Sequence, residues 1–404
     1  MPSLSSYKNL HKRYSYFFLI AGIIFVAFNL RPAITSVGPL IPIIRESTGM
    51  SNSMAGTLTT IPLLSFAVFS LVAPKLGLRF GNHLSIFCAL LILGAGILIR
   101  SSGVITAIFI GTALVGVGIA ICNVLLPGVV KFSFPKKVGL MTSLYTACMG
   151  IFASIGSGVS IPLYETFGLG WEQALGVWAV LTVLALFVWL PQIIGTKETK
   201  KPVKEDKPGF SQSIWSSSLA WQVTLFMGLQ SFLFYSLITW IPDVLVELGM
   251  SLSLAGWMLF LLQLVGIPFS FAAPIIADKL NNQKPIVIAI CSLYFLGFTG
   301  LIFNPNVAVI TISVLFLGTA QGGAISLALT LLSLRAANAR HASLLSGMAQ
   351  SFGYLLAAAG PVFMGFLYDT FHTWKPFLFV LSGIAVFILW FGLKAAEDKF
   401  VLPE

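Results

Sequence analysis

The stretch Gly49-Met50-Ser51-Asn52-Ser53-Met54-Ala55-Gly56 returns as Gly249-Met250-Ser251-Leu252-Ser253-Leu254-Ala255-Gly256. At the same offset of 200 residues Ile41-Pro42 matches Ile241-Pro242, and Ala73-Pro74 matches Ala273-Pro274. Leu163-Tyr164-Glu165-Thr166-Phe167 returns as Leu367-Tyr368-Asp369-Thr370-Phe371, at an offset of 204. Composition alone does not place such matches in register, so the chain reads as two copies of one unit.

Outward from these copies, apolar segments alternate with short polar turns. They give twelve candidate helices, at 16–44, 53–73, 84–100, 104–131, 138–165, 173–191, 219–246, 253–276, 285–303, 306–334, 342–368 and 375–394. Their lengths suit a bilayer, and the longest require tilting or kinking. Six helices separate the copies, so both halves cross the membrane in the same sense. The expected fold class is an all-α polytopic membrane protein, with twelve transmembrane helices as two parallel six-helix repeats. The domains are a first bundle over 1–191, a linker over 192–218 rich in Lys with Pro202 and Pro208, and a second bundle over 219–404. The linker reads as a solvated segment that also touches anionic lipid headgroups.

Composition agrees, with 57% hydrophobic and only 9% charged residues and 34 Phe among 404 positions. The net charge of +10 would suit nucleic acid, but its placement argues otherwise. With the N-terminus inside, only Arg45, Arg100 and Lys375 fall on the outer side and Arg31 within a span; every other Lys and Arg of the 23 is cytoplasmic. That is a positive-inside topology with both termini cytoplasmic, so membrane lipid is a partner and nucleic acid is not. The first apolar run is too long for a signal peptide and lacks a small-residue cleavage site, so it reads as a retained helix. Cys88, Cys122, Cys148 and Cys291 lie in apolar segments without ligand spacing, and the four histidines sit in tails or at helix ends. Neither a metal site nor a nucleophilic enzyme is assembled, no Walker motif is present, and no cofactor is expected.

Within the first helix, Phe28-Asn29-Leu30-Arg31-Pro32-Ala33-Ile34-Thr35-Ser36 places a guanidinium about 20 Å from either end of the apolar run, beyond the reach of snorkelling. A charge at that depth costs at least about 2.5 kcal/mol and usually faces a polar cavity or a partner. All thirteen acidic residues fall at helix ends, in loops or in tails, so none is placed to neutralise Arg31 or to carry a coupling proton. Pro32 leaves one carbonyl free, which accepts a hydrogen bond but cancels no charge. Arg31 could be tied to such carbonyls as a packing element. The missing carboxylate points instead to an arriving anion, or to a ligand rich in acceptor atoms.

With twelve helices as six plus six, a long central loop and parallel halves, the sequence resembles the major facilitator superfamily and its fold. Ala73-Pro74-Lys75-Leu76-Gly77-Leu78-Arg79-Phe80-Gly81 is similar to the superfamily signature Gly/Pro-x-x-x-Asp-Arg-x-Gly, with Leu78 where Asp is usual. The second copy keeps Asp278 and Lys279. The resemblance implies a cytoplasmic gate at Arg79, Asp278 and Lys279. Asn29 to Leu40, followed by Ala55-Gly56-Thr57-Leu58-Thr59-Thr60-Ile61-Pro62-Leu63, looks like the cyanate permease and nitroimidazole transporter branch, which implies a carrier of small anions or polar heteroaromatic solutes. Helix five lacks the Gly-Pro-x-x-Gly-Gly run of proton-coupled drug antiporters.

Thr35 lies one turn above Arg31, and the repeat offset places Ser231 and Tyr235 opposite, with Gln230 beside them. Asn123, Tyr145, Thr146, Gln263, Gln321, Gln350 and Tyr354 complete the polar groups well inside helices. Singly, such residues serve as often as glue between helices. As a set they outline a small, mostly apolar pocket for a small-molecule substrate. The expectation is a monomeric bacterial inner-membrane transporter working by alternating access, with Arg31 in the central site. The rivals are a small-drug efflux carrier and a non-transporting receptor on the same scaffold.

Overall fold

The computed structural model describes residues 4–134, 138–195, 214–303, 306–337 and 339–402. Among these are twelve helical spans long and apolar enough to cross a membrane. The first span is built from α1 (Leu4–Asn29), α2 (Pro32–Thr35) and α3 (Val37–Thr48). The rest of the first half follows as α4 (Asn52–Phe80), α5 (Asn82–Arg100), α6 (Ile105–Ser133), α7 (Val138–Glu165), α8 (Trp171–Gly176) and α9 (Ala179–Gly195). A 3-10 turn at Ile214–Ser216 leads into α10 (Ser218–Glu247), α11 (Leu252–Lys279), α12 (Lys284–Phe303), α13 (Val307–Leu334), α14 (Ala339–Phe371) and α15 (Lys375–Ala395). Most of the linker, residues 196–213, lies outside the described residues.

The repeated Gly-Met-Ser stretch makes the same turn twice. Gly49 closes α3 with φ +71°, and Gly249 follows α10 with φ +94°, a left-handed conformation that favours glycine. Met50 and Met250 are buried behind these turns. Ser51 and Ser251 then cap the next helices, each Oγ accepting a hydrogen bond at 3.2 Å, from the amides of Met54 and Leu254.

The first transmembrane helix is not continuous. Pro32 disfavours helical backbone at the preceding residue, and Arg31 sits at φ −126°, ψ −44° between α1 and α2. A second break follows at Ser36. The sixth span is likewise divided, between α8 and α9. Residues 74–80, expected as a loop, continue α4 to Phe80, where Gly81 (φ +88°) ends it.

The halves meet at the end of the molecule that carries Gly49 and Gly249. There α3 packs on α10, with no room for a Cβ on Gly38 against the Ile238 carbonyl. α4 packs on α14 through Gly56 and Pro361, and α7 on α11 through Gly158 and Phe260. Small residues let these backbones approach closely. Thr60 Oγ1 donates to the Ala358 carbonyl at 2.6 Å, and the Thr59 and Thr239 hydroxyls are hydrogen-bonded to each other at 2.9 Å. The Asp369 carboxylate accepts from the amides of Asn52 (3.1 Å) and Ser53 (2.8 Å) and from Asn52 Nδ2 (2.7 Å), so a side chain of the second half caps α4 of the first. Glu165, its counterpart in the repeat, is exposed.

Candidate functional site

Arg31 stands at a gap in the helix, and the backbone around it is held by three neighbours. Asn29 Nδ2 donates to the Leu181 carbonyl at 3.2 Å, and Asn29 Oδ1 accepts from Thr182 Oγ1 at 2.7 Å, fixing the end of α1 to α9. Thr35 Oγ1 donates to the Ala153 carbonyl at 2.8 Å, and Ser157 Oγ donates to the Thr35 carbonyl at 3.2 Å, fixing α2 to α7. Gly156 leaves room for this crossing, since a Cβ there would lie 2.8 Å from Thr35 Oγ1 and 3.0 Å from Pro32 Cα. From α5, Arg100 Nη1 donates to the Ala33 carbonyl at 2.6 Å. Backbone groups freed by the breaks are thus satisfied inside the protein, as a membrane interior requires.

Arg31 Nη1 donates to the Tyr235 hydroxyl at 3.4 Å, and its guanidinium lies 5.9 Å from the centroid of the Phe234 ring. Both partners belong to α10 of the other half. No carboxylate among the described residues pairs with Arg31. From Arg31 a cavity of 830 Å³ runs between the halves to the end where α11 and α13 terminate, reaching Pro274, Ile275 and Leu334. Its walls are apolar apart from Gln263, Gln321 and a few hydroxyls, and among the described residues Arg31 is the one charged residue lining it.

The sequence-predicted residues divide in this geometry. Arg31, Gln263 and Gln321 line the cavity together, as does Thr146. Tyr235 touches Arg31, and Tyr354, edge-on to Phe66 at 5.5 Å, lies within electrostatic reach of both. Thr35 and Ser231 are buried and outside the lining, Thr35 bonded to α7 and Ser231 accepting from Gln230 Nε2 at 2.7 Å. Gln350 is also outside it and donates to Ser346 Oγ at 2.8 Å. Asn123 and Tyr145 are not among the lining residues either. Gln263 reaches across the halves, its Nε2 donating to Ser157 Oγ at 2.5 Å. Of the expected gate, Arg79 and Lys279 are exposed, Arg79 lies over the Phe80 ring at 5.2 Å, and the Asp278 side chain lies outside the described residues.

Two placements differ from the sequence reading. Arg100, expected at the outer surface, is buried at 1% exposure because it serves the broken first helix. Asp243 lies near the end of α10, as expected, but is buried there rather than exposed, with Oδ1 3.9 Å from Arg45 Nη1.

The superfamily's sequence profile matches residues 17–361. The chain belongs to the major facilitator superfamily. This transporter is 49% identical to the Uncharacterized transporter YycB of Bacillus subtilis (strain 168), over 98% of this chain and 97% of that one. It is 40% identical to the 2-nitroimidazole transporter of Escherichia coli (strain K12), over 94% and 96% of the two chains. It is 29% identical to the cyanate transport protein CynX of the same organism, over 85% and 88%. These relatives place it in the branch that the first two helices resemble. Among solved structures, the D-xylose-proton symporter superposes with a TM-score of 0.73 at 17% identity, over 95% of this chain and 99% of that one, which shows the shared fold.

Sequence reasoning missed the grip on the break. Ser157 and Ser160 of α7 carry no signal apart from any other serine in an apolar run, and both donate to carbonyls of the broken helix. Tyr294, whose hydroxyl donates to Gln321 Oε1 at 2.8 Å, was equally silent, whereas Gln230, expected beside Ser231, is bonded to it and to Gln321.

Proposed function

We propose that this transporter carries a small anionic or acceptor-rich solute, cyanate-like or nitroheterocyclic, by alternating access, with Arg31 at the central site. The observation that supports the reading is the lone guanidinium at the inner end of the cavity, aimed at hydroxyl and aromatic partners rather than at a carboxylate. A charge kept in an apolar medium without a counterion favours a ligand that supplies one. The planar fork suits a flat oxyanion or nitro group, and the adjoining Phe234 ring suits a flat heterocycle. The 2-nitroimidazole and cyanate transporters among the relatives supply solutes of that chemistry.

The cavity runs to the end that carries Arg79, Lys279 and Arg335. By the positive-inside rule that end is cytoplasmic, so we assign this conformation as open to the cytoplasm and closed to the outside. Flux into proteoliposomes tests the reading. Arg31→Ala abolishes transport of 2-nitroimidazole and cyanate, and Arg31→Lys impairs it, because a point ammonium does not reproduce the fork. Wild-type flux in Arg31→Ala protein makes the residue a packing element and overturns the assignment.

A further inference from the structure

Behind the cavity wall, four side chains of the second half form a chain of hydrogen bonds whose direction is fixed. Gln230 Nε2 donates to the Met227 carbonyl at 3.0 Å and to Ser231 Oγ at 2.7 Å. A main-chain carbonyl only accepts, so the amide nitrogen of Gln230 must be the atom that faces it. Gln230 Oε1 then points at the Gln321 amide, which meets it with Nε2 at 3.3 Å. This in turn directs Gln321 Oε1 to the Tyr294 hydroxyl, which donates to it at 2.8 Å. Gln230 and Tyr294 are fully buried and Gln321 is 4% exposed, so water does not compete for these groups. Reversing any amide would set acceptor against acceptor at the Met227 carbonyl or at Gln230.

Of this chain only Gln321 lines the cavity. Its oxygen is turned toward α12, which contributes no lining residue, and its nitrogen toward α10, the helix that carries Phe234 and Tyr235 beside Arg31. One of the two N–H groups is held by Gln230, and the other remains available. Tyr235 accepts from Arg31 and so keeps its own proton to donate. We propose that Gln321 is a specificity-determining residue and Gln230 the positioning residue behind it, together presenting a fixed N–H donor that joins the guanidinium of Arg31 and the hydroxyl proton of Tyr235. The preferred ligand then carries hydrogen-bond acceptors on two edges, and the same ring with a donor in place of the second acceptor is rejected. This rests on the functional reading above and specifies its substrate class.

The pair 2-nitrothiazole and 2-aminothiazole tests it, since both are uncharged at neutral pH and differ by an acceptor group replaced by a donor. Binding to the purified full-length protein is measured by thermal shift and titration, and the readout is the ratio of the two affinities. Wild type favours the nitro compound. Gln230→Met and Gln321→Leu each lower the ratio by about tenfold, the worth of one well-placed hydrogen bond to a buried partner. The double variant falls no further than Gln321→Leu alone, because both changes remove the same donor. Tyr294→Phe keeps the ratio within about threefold, since Gln230 still holds the nitrogen end of Gln321. An unchanged ratio in Gln230→Met overturns the proposal, as does an equal collapse in Tyr294→Phe. Should Gln230→Met fail to fold, an unchanged ratio in Gln321→Leu has the same force. Nitro binding that depends on Arg31 but ignores Gln230 and Gln321 sinks this inference alone. Absence of nitro binding in the wild type sinks both.

Discussion

Replacing Gly38 by alanine is expected to drive the protein out of the conformation described above. A Cβ at residue 38 would point at the Ile238 carbonyl oxygen well inside contact distance, with the Thr239 carbonyl oxygen at 3.4 Å. An ordinary C···O approach is about 3.3 Å, so α3 and α10 must part by about 1 Å. The obstacle is backbone rather than a flexible side chain, and no rotamer relieves it. Overpacking of this kind costs about 1–3 kcal/mol. Because α3 and α10 belong to different halves and meet only at the closed end, a state with that end open escapes the cost. The equilibrium then shifts toward that state by a factor of about 5–150. Spin labels at Ser47 and Val246, near the ends of α3 and α10, read the change as growth of a longer-distance population. Gly347→Ala is the control, because nothing lies within 4 Å of a Cβ there. A distance distribution in Gly38→Ala that matches the wild type would show that this contact does not hold the end shut.

Other consequences follow from named contacts. Asp369→Asn removes a charged cap from α4, weakening the closed end by about 1 kcal/mol, and the same label pair should show a smaller shift in the same direction. Arg335 is buried at 2% exposure, and that burial pushes its guanidinium below the usual arginine range, against the opposing pull of Asp398. It donates to Gln283 Oε1, to the Ala395 carbonyl at 3.0 Å and to Asp398 Oδ1 at 3.3 Å. Arg335→Gln should cost about 1–3 kcal/mol through the hydrogen bonds it leaves unmade, seen as a lower melting temperature and faster proteolysis of residues 397–402, and an unchanged digest would refute it.

Much of the architecture could be read from residues whose signal is local. A glycine that must adopt positive φ and a serine that must cap a helix are legible wherever they stand, so the turns at 49–51 and 249–251 revealed the duplication. Arg31 was legible for a related reason, as a charge in a long apolar run that only a few environments tolerate. The polar residues of the lining were only partly legible. Gln263 and Gln350 give the same signal in sequence, a lone amide among apolar residues, yet one faces the cavity and the other bonds within its own helix. In a membrane both faces of a helix are apolar, so periodicity does not tell a lipid face from a neighbouring helix. Arg100 shows the opposite error. Its place at a helix end suggested water, whereas the carbonyl it serves was freed by a break in another helix 67 residues away in sequence.

The duplicated halves have not kept their edges alike. On one edge Asp369 grips the start of α4; on the other the equivalent acid, Glu165, is exposed, and Leu252 stands where Asn52 does. The margins are therefore fastened by different means: an ionised carboxylate grips α4 on one edge, while the neutral Gln263–Ser157 hydrogen bond ties α11 to α7 on the other. A charged acceptor holds its donors more strongly than a neutral one, so the α7–α11 margin is the weaker seam between the halves.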